Sequence, residues 1–502
     1  MNLHNFMPNG LRSDRESPSF SCHSKRRPRL AGFLLRRYGL ALAVVVPLTG
    51  CQGKPPGNLS HLQRIKQAGV IKAATRDSHD FRNPGTAGRS SLEHDLVELF
   101  AQHLGVEARF LVPDAQRDVL DKIRSQEADM AATWVTGGEL HPADIRFGPV
   151  YRSVQEQVLF RAEAHRPTTI ADLGEGLLEV TAGSAHSPAL KQLRMEQPSF
   201  QWSVNFEQNE EGLLFLVNEG LVDYTIADSD RALLMRRYYP HLQVAFDVGK
   251  PRELAWALPA EADDSLSQEV AYFFDRIKRT KVLDQLIDRY YGHAHAYDPA
   301  LDQGLRRDYL QRLPPYRRLF VRAAEQHNLD WRLLAAVAYQ ESKWNNSAVS
   351  PEGVRGMMML TGDTARQLKV TDVFDAAQSI RGGASYLRQT LVKLPEDIQE
   401  PDRTWMALAA YNLGPGHVYD ARELTRKGGG DPNKWIDVKK ALPLLGKEPW
   451  HRHTRHGYAR GATAVHYVQS IRRFYDLLVW LTEEEELRRL ALGTSRQRIE
   501  GA

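Results

Sequence analysis

Cysteine is almost absent from this chain of 502 residues, which contains only Cys22 and Cys51. The sequence after Cys51 therefore has no disulfide, no cysteine nucleophile and no cysteine-ligated metal site. Its domains must be stabilised by packing. Disorder is not indicated either, because 42% of the residues are hydrophobic and the length is sufficient for about two or three domains.

Net charge is also low, at +4 at pH 7, and the excess comes from the N-terminus. The first 50 residues hold eight Lys or Arg and two acidic residues, and removing that +6 leaves −2 for the remainder. Because the net charge of the remaining chain is so close to zero, the sequence predicts no nucleic-acid partner.

The hydrophobic segment near the N-terminus, YGLALAVVVPL, is shorter than the about 20 apolar residues that a membrane-spanning helix requires. It follows a basic region and precedes LTGC, an order that resembles a bacterial lipoprotein signal. The resemblance implies that residues 1–50 are a signal peptide, that Cys51 is lipidated and that residues 51–60 are a tether. Gln52 in place of Asp implies the outer membrane, with the protein facing the periplasm. A short membrane anchor with an incidental cysteine is the alternative.

Residues 61–298 alternate short apolar stretches with amphipathic ones, as in GVIKAAT, SLEHDLVELFAQHLGV and ARFLVP. In the second stretch, leucines recur at helical spacing while acidic and amide side chains take the other face. Alternating strands and helices predict an α/β domain whose strands are mostly parallel.

The order of GVIKAAT, EADMAATWVT, IRFGPVY and LVDYTIADSD in this region resembles the type 3 solute-binding proteins of the periplasm. The resemblance implies two α/β lobes that close over a ligand, with Asp228 contacting a ligand amine, although a helix cap would also explain this aspartate. His141 stands near the position of the arginine that binds the carboxylate in amino-acid binders, so we expect a regulatory ligand other than a free amino acid. Trp134 and Tyr151 are predicted to line the cleft or to belong to the core.

Two histidine-containing stretches suggest a metal site. His293 and His295 lie in YYGHAHAY, and three further histidines lie in HRHTRH at residues 451–456. Neither stretch has a carboxylate at convincing ligand spacing, and such runs are usually solvated. The sequence therefore predicts no metal site and no cofactor.

From about residue 299 onward the sequence has little strand signal and consists of successive helical patterns. Asp330 is predicted to cap a helix that turns Leu334 and Ala338 toward a core. Helical spacing puts Glu341 on the same face. A carboxyl group facing a core has its pKa raised, as a general acid working near neutral pH requires. A glutamate that ends the helix and faces solvent is the alternative.

The segments ESKWN, SPEGVRGMMMLTGDTA, ALAAYNLGPG and AVHYVQSI follow one another in this helical region. In order and spacing they resemble the lytic transglycosylase domain, which implies a mainly α, goose-lysozyme-like domain over residues 299–490, followed by a tail at 491–502. The resemblance assigns catalysis to Glu341. It also assigns substrate contacts to five further residues: Ser350, Met358, Tyr411, Asn412 and Tyr467. Met359 stands where many relatives have glutamine, which removes one amide contact.

Together with the lipoprotein signal and the solute-binding-like region, these motifs resemble the membrane-bound lytic murein transglycosylases. The resemblance implies that a single glutamate cleaves the β-1,4 bond between N-acetylmuramic acid and N-acetylglucosamine and leaves 1,6-anhydro ends. The implied partners are peptidoglycan strands and the membrane, and we expect a murein peptide or muropeptide at the N-terminal domain. Two alternatives are a lysozyme-like hydrolase and a non-catalytic murein sensor or binding protein. Structural alternatives also exist for Tyr411 with Asn412, as a helix C-cap, and for Ser350, as a turn residue.

Overall fold

The computed structural model describes residues 59–75, 91–112, 118–135, 143–182, 187–198, 200–260, 263–293, 298–351 and 353–500. These residues form a two-lobed α/β domain followed by a mainly helical domain, which confirms the fold class expected from the sequence. Across the described ranges, no helix combines the length and the apolar character that a membrane span needs.

The strands of the α/β domain are β1 (Val70–Ala74), β2 (Glu107–Leu111), β3 (Met130–Val135), β4 (Ile145–Phe147), β5 (Arg152–Arg161), β6 (Leu178–Thr181), β7 (Ser203–Asn205), β8 (Tyr224–Asp228) and β9 (Leu242–Pro259). They form one sheet in the order β2-β1-β3-β9-β5-β8-β6-β7, with β4 also paired to β9. The pairs β1–β2, β1–β3, β6–β7 and β6–β8 are parallel. Each lobe therefore has a parallel set of strands, but the four pairs that involve β5 or β9 among the described residues are antiparallel, so the prediction of mostly parallel strands holds only within each lobe.

The joining strands are β5 and β9, which pair antiparallel along most of their length. The first part of β9 pairs only with β5, whereas its last part also pairs with β3 and β4 of the first lobe. Between the two parts, Gly249 has φ +64, a conformation that glycine adopts without strain. Both lobes thus depend on the same two strands for their relative position.

The helices of the two lobes are α1 (His61–Ala68), α2 (Leu92–Leu104), α3 (Asp118–Arg124), α4 (Ser187–Glu196), α5 (Glu210–Glu219), α6 (Ser229–Met235), α7 (Ser265–Arg279) and α8 (Val282–Tyr291). Helix α2 has the predicted spacing, since Leu92, Leu96 and Leu104 are buried and Leu99 is partly buried. It begins at a Ser91 cap and ends at a left-handed Gly105.

The C-terminal domain consists of α9 (Pro299–Gln311), α10 (Pro314–His327), α11 (Trp331–Ser342), α12 (Gly362–Gln367), α13 (Ala376–Lys393), α14 (Asp402–Leu413), α15 (Pro415–Lys427), α16 (Trp435–Ala441), α17 (Glu448–His451) and α18 (Gly461–Glu500), with a 3-10 turn at Leu442–Gly446. Helix α18 packs on α11 and α14 and is the longest of these. It continues past residue 490, where the sequence predicted the start of a tail.

The largest buried cluster crosses the boundary between the two domains. It contains Leu334 and Phe474 of the helical domain together with Leu159, Leu214 and Tyr238 of the second lobe. The first lobe has a separate cluster around Trp256, Phe100 and Phe273. The second lobe and the helical domain therefore share one core.

Candidate active site

Glu341 lies at the C-terminal end of α11, one residue before the helix ends. The Asp330 side chain caps the start of α11 by accepting a hydrogen bond from the Arg332 N–H, as the sequence predicted. Leu334 and Ala338 are completely buried where α11 packs against α18 and α10. Glu341, about one turn beyond Ala338, is partly buried. The prediction that its carboxyl group shares the apolar face is confirmed.

Tyr467 is the hydrogen-bond partner of this carboxyl group among the described residues. Its hydroxyl donates to Glu341 Oε1 at 2.5 Å across a sequence separation of 126 residues. Loss of hydration raises the pKa of Glu341 to about 7, and the bond from Tyr467 opposes only part of this rise. Burial raises the pKa of Tyr467 well above its ordinary value, so this hydroxyl stays protonated and remains a donor. Near neutral pH, Glu341 can therefore both release and accept a proton.

Tyr411 supports the site from α14. Its hydroxyl donates to the Met358 carbonyl oxygen at 3.1 Å, and its ring meets Tyr386 edge-on with centroids 5.1 Å apart. Burial raises the pKa of Tyr411, and the nearby Glu341 carboxylate adds to this rise. Asn412 follows with an exposed side chain that has no hydrogen-bond partner among the residues described by the structure. Tyr411 thus fixes the backbone near Glu341, while the Asn412 amide is accessible to a ligand.

The segment 343–361 leaves α11 in a sharp turn. Lys343 and Trp344 have φ values of 54 and 55, and the Trp344 indole folds back to donate to the Ala335 carbonyl at 2.8 Å. At the end of α11, the Ser342 hydroxyl donates to the Met357 carbonyl at 2.8 Å. These bonds hold the segment against the same helix that carries the glutamate.

Glycine is required in this segment for steric reasons. Gly356 has φ +82, and a Cβ atom there would lie 1.9 Å from the Val373 carbonyl oxygen. Arg355 forms isolated antiparallel bridges with Val349 and Leu360 on either side. The glycine of the GVRGMMM motif therefore permits a tight backbone fold beside the site.

Two of the predicted substrate contacts are already engaged within the protein. The Ser350 hydroxyl accepts a hydrogen bond from the Val354 N–H at 3.2 Å, so Ser350 stabilises a turn and is only partly buried. Met358 requires a correction, because its side chain is completely buried and packs where a Cβ on Gly383 would be. It lies beneath the site instead of facing a ligand. Met359 adopts φ 45, in the left-handed region, and is partly buried.

In the solute-binding-like domain, Asp228 is at the N-terminus of α6 but makes no capping hydrogen bond. Its carboxylate instead contacts the Arg252 guanidinium, which also lies 2.9 Å from Glu156. Nearby, burial raises the pKa of Asp230 to about 7 although Arg152 donates to it at 2.6 Å. Arg252 is not predictable as the partner of Asp228, because nothing in a single sequence shows that residues 24 positions apart are paired.

The other residues predicted for this domain are not gathered at one site in the described structure. Tyr151 is 5% exposed and stacks on Phe274 in the core of the first lobe, which favours the core interpretation. Trp134 belongs to β3, and nothing more is described for its side chain. His141, His295 and the lipidation candidate Cys51 lie outside the described residues.

The prediction that His293 belongs to a solvated run is wrong, because the side chain is buried. It is 5% exposed at the boundary between the domains, where its Nε2 lies 2.5 Å from the Asp476 carboxylate. Arg237 of the second lobe donates to the same carboxylate at 3.0 Å. Burial and the adjacent Arg472 and Arg237 guanidinium groups lower the pKa of His293 to about 3, so this imidazole is neutral. Its burial follows from packing against α18, which its local sequence does not reveal.

In this arrangement Glu341 can protonate a leaving oxygen and then accept a proton, while the hydrogen bond from Tyr467 orients its carboxyl group. No second carboxylate is bonded to Glu341 among the described residues, and in those residues no cluster of three or more His, Cys, Asp or Glu suits a metal ion.

Two family models match separate regions of this chain. Residues 90–293 match the family of bacterial extracellular solute-binding proteins, family 3, and residues 318–434 match the transglycosylase SLT domain. A solved structure of a mutant ArgBP from T. maritima covers 46% of this chain and 99% of that chain, with 18% identity and a TM-score of 0.41.

Two relatives extend the similarity over nearly the whole chain. A Pseudomonas fluorescens protein named membrane-bound lytic murein transglycosylase F is 40% identical over 460 residues, covering 91% of this chain and 93% of the relative. An Alkalilimnicola ehrlichii protein named membrane-bound lytic murein transglycosylase F 1 is 41% identical over 445 residues, covering 88% and 90%. The chain therefore belongs to the membrane-bound lytic murein transglycosylase F family.

Proposed function

We propose that this protein is a lytic murein transglycosylase that cleaves peptidoglycan between N-acetylmuramic acid and N-acetylglucosamine and leaves 1,6-anhydro ends. The proposal rests on one observation: burial raises the pKa of Glu341 to about 7, while its carboxyl group accepts a hydrogen bond from Tyr467. A group that is half-protonated at neutral pH can act as acid in one step and as base in the next.

In the first step, protonated Glu341 gives its proton to the glycosidic oxygen. The bond between this oxygen and C1 of the N-acetylmuramic acid breaks, and the N-acetylglucosamine leaves with a hydroxyl group. The electron-poor C1 is stabilised by the carbonyl oxygen of the sugar's own N-acetyl group. A second carboxylate, which most glycosidases use as nucleophile or base, is therefore not needed.

In the second step, the Glu341 carboxylate takes the proton of the C6 hydroxyl group on the same sugar. The C6 oxygen bonds to C1 and closes the anhydro ring, while the acetamido oxygen is released. Because the nucleophile belongs to the substrate, this step is intramolecular and gains the advantage of proximity. Glu341 ends protonated, ready for the next cycle.

The neighbouring residues orient this chemistry. Tyr467 holds Oε1, which leaves the other oxygen of Glu341 to face the sugar. Asn412 is exposed beside Tyr411 and is suited to bind the acetamido group by hydrogen bonds. Ser350 can contact a sugar hydroxyl only in addition to its turn bond, since a hydroxyl oxygen accepts more than one hydrogen bond.

The test compares the release of soluble muropeptides from purified sacculi by the wild-type protein, Glu341→Gln and Glu325→Gln. The amide keeps the shape of Glu341 and cannot transfer its proton, so we expect a loss of about 10²-fold or more. Glu325 is exposed on α10, so its substitution serves as a matched control and should retain activity. Near-normal release by Glu341→Gln would remove Glu341 from the mechanism.

A lysozyme-like hydrolase would use the same glutamate with water in place of the C6 hydroxyl, and its products would have reducing ends. A non-catalytic murein sensor would release nothing from sacculi. The raised pKa of Glu341 favours catalysis over mere binding, because a binding residue has no need of a proton that is transferable near neutral pH.

We further propose that the protein is anchored to the outer membrane by a lipid on Cys51. The support is the sequence order of a basic region, a short apolar run and LTGC, followed by Gln52. The tether at residues 51–60 would let the catalytic domain reach the adjacent murein.

For the N-terminal domain, we propose that a murein peptide or muropeptide binds between the lobes and changes the activity of Glu341. Helix α18 connects the N-terminal domain to the catalytic site, because it carries both Tyr467 and Asp476. Asp476 lies nine positions, or about 13 Å, beyond Tyr467 along the helix. Asp476 meets Arg237 of the second lobe. Arg472 donates to the carbonyl oxygens of Asp288 and Arg289 on α8, at 3.1 and 2.9 Å. A movement of either lobe would therefore act on the helix that holds the catalytic carboxyl group.

Such coupling requires that the ligand bind two conformations with different free energies, and a factor of about 5 to 150 in affinity is usual. The test measures binding of murein tetrapeptide to the full-length protein, and release from sacculi with and without the peptide. The same measurements on Asp476→Asn should show peptide binding with a weaker effect on activity. If the peptide neither binds nor alters release, the domain is a spacer that positions the catalytic domain.

A further inference from the structure

The segment at residues 447–460, called here the basic loop, begins with the short helix α17 and carries the HRHTRH motif, to which the proposed function assigns no role. It contains four Lys or Arg residues and three histidines, against the single acidic residue Glu448. Trp450 and Tyr458 are 43% and 59% exposed, and the Arg452 and Arg455 side chains are exposed as well. The loop thus presents cations and aromatic rings to solvent.

The loop is held in one conformation by Asp420 of α15, whose side chain is buried. The Asp420 carboxylate accepts hydrogen bonds from the Arg455 N–H at 3.2 Å and from the His456 N–H at 2.8 Å. It also lies 3.1 Å from His456 Nδ1. The Thr454 hydroxyl closes a turn onto the His451 carbonyl at 2.9 Å. A surface fixed in this way loses little conformational entropy when it binds a ligand.

Contacts at both ends place the basic loop beside the catalytic elements. The His456 ring lies against Gly416, where a Cβ would approach it to 2.7 Å. Gly416 is in the first turn of α15, four residues after Asn412. At its other end, the loop leads directly into α18, on which Tyr467 lies six residues, or about 9 Å, beyond Gly461. The loop therefore borders the site where the glycan is cut.

We propose that the basic loop binds the acidic peptide stems of the murein strand that occupies the catalytic site, with Arg452 and Arg455 receiving stem carboxylates. This inference rests on the proposed function. Peptide stems project from N-acetylmuramic acid, the sugar on one side of the cleaved bond, and carry free carboxylates. Guanidinium groups bind carboxylates through two parallel hydrogen bonds. The exposed aromatic rings of Trp450 and Tyr458 offer apolar contact to the same stems.

Charge on the loop supports this occupant over a neutral glycan. Arg452 has an ion-pair partner, Glu448, but both side chains are more than 60% exposed, so the pair is readily exchanged for a ligand carboxylate. For the Arg455 guanidinium, no ion pair is found within the described part of the chain. While the stems are attached, the glycan backbone itself has only hydroxyl, acetamido and lactyl amide groups, which give such a cationic surface nothing to neutralise.

The experiment measures co-sedimentation with two matched substrates: sacculi with intact peptide stems, and the same sacculi after carbodiimide coupling to methylamine has converted the stem carboxylates to neutral amides. Full-length Glu341→Gln protein is used so that no cleavage occurs, with and without Arg452→Ala and Arg455→Ala together. We expect the Glu341→Gln protein to bind unmodified sacculi about tenfold more tightly than amidated sacculi, and the loop variant to lose this preference, since each charged hydrogen bond contributes more than a neutral one. Arg322→Ala with Arg366→Ala, exposed on α10 and α12, is the matched control and should keep the preference.

The outcomes are separable. If the loop variant keeps the full preference for unmodified over amidated sacculi, or loses binding to both substrates equally while its melting temperature is unchanged, the proposal is overturned. A higher salt concentration should also reduce the preference of the Glu341→Gln protein, because the contacts are ionic and exposed. Failure of the wild-type protein to cleave sacculi would count against the proposed function alone, since the binding comparison requires no turnover.

Discussion

Replacing Glu341 by Gln should make the protein more stable at alkaline pH, although it removes the catalytic group. In the folded protein, burial raises the pKa of Glu341 from 4.5 to about 7. Between these two values the folded state holds the proton more tightly than the unfolded state, so the stabilising effect of protonation is complete at low pH and is lost as pH rises through about 7. Each pKa unit corresponds to about 1.4 kcal/mol, so ionisation of Glu341 costs about 3 kcal/mol of the free energy of unfolding.

The glutamine variant has no such titration. Its free energy of unfolding, compared with that of the wild type, should therefore rise by about 3 kcal/mol between about pH 4 and about pH 8.5. For a domain of this size that is roughly 6 to 12 °C in melting temperature. The assay is thermal unfolding of both proteins across this pH range, with Glu325→Gln as the control for loss of an exposed carboxylate.

Other ionisable groups titrate equally in the two proteins and cancel from the difference. A difference that stays within about 0.5 kcal/mol over the whole range would show that burial has not raised the pKa of Glu341. The physical basis for a general acid at neutral pH would then be lost, whatever the activity of the variant.

Four further changes have definite expected results. Tyr467→Phe removes a bond that lowers the pKa of Glu341, so the descending alkaline limb of the pH–activity profile should move to higher pH, and an unmoved limb would contradict the assigned contact. Gly416→Ala should lower stability by about 1 to 3 kcal/mol, because the new Cβ meets the His456 ring at 2.7 Å, and an unchanged melting temperature would mean that the ring is free to move. Cys51→Ser should release the protein from membranes, since each buried CH₂ of an acyl chain contributes about 0.8 kcal/mol, and sedimentation with membranes after a high-salt wash would indicate another anchor. Asp476→Asn should lower stability by about 3 kcal/mol or more, because it leaves the buried Arg237 guanidinium without its carboxylate, and a neutral effect in thermal unfolding would show that this ion pair is dispensable.

Much of the site could be predicted because it depends on local spacing. Helical periodicity put Glu341 on the buried face of α11, and this face is where the structure has it. The Asp330 cap and the leucine spacing of α2 are local in the same sense, and both are observed. Ordered motifs also indicated the family, because several short segments had to occur at fixed separations.

What the sequence did not reveal depends on contacts between distant residues. The hydrogen bond from Tyr467 to Glu341 spans 126 positions. The motif order predicts that Tyr467 lies in the cleft, but it does not show that its hydroxyl contacts Glu341 Oε1. His293 resembles a solvated residue because it lies in a histidine-containing run, yet α18 packs over it and buries it. The order of the motifs predicts a substrate contact for Met358, and only the packing against Gly383 shows that its side chain is buried.

The identity of the nucleophile is the central claim, and digestion in water enriched in heavy oxygen tests it most directly. Sacculi are digested by the wild-type protein, and the released muropeptides are analysed by mass spectrometry. If the C6 hydroxyl closes onto C1 after Glu341 has protonated the leaving oxygen, the products contain anhydro-N-acetylmuramic acid, lack one water relative to reducing ends and carry no heavy oxygen. Products with reducing ends that contain one heavy oxygen at C1 would contradict the account, because water would then be the nucleophile and the enzyme a hydrolase.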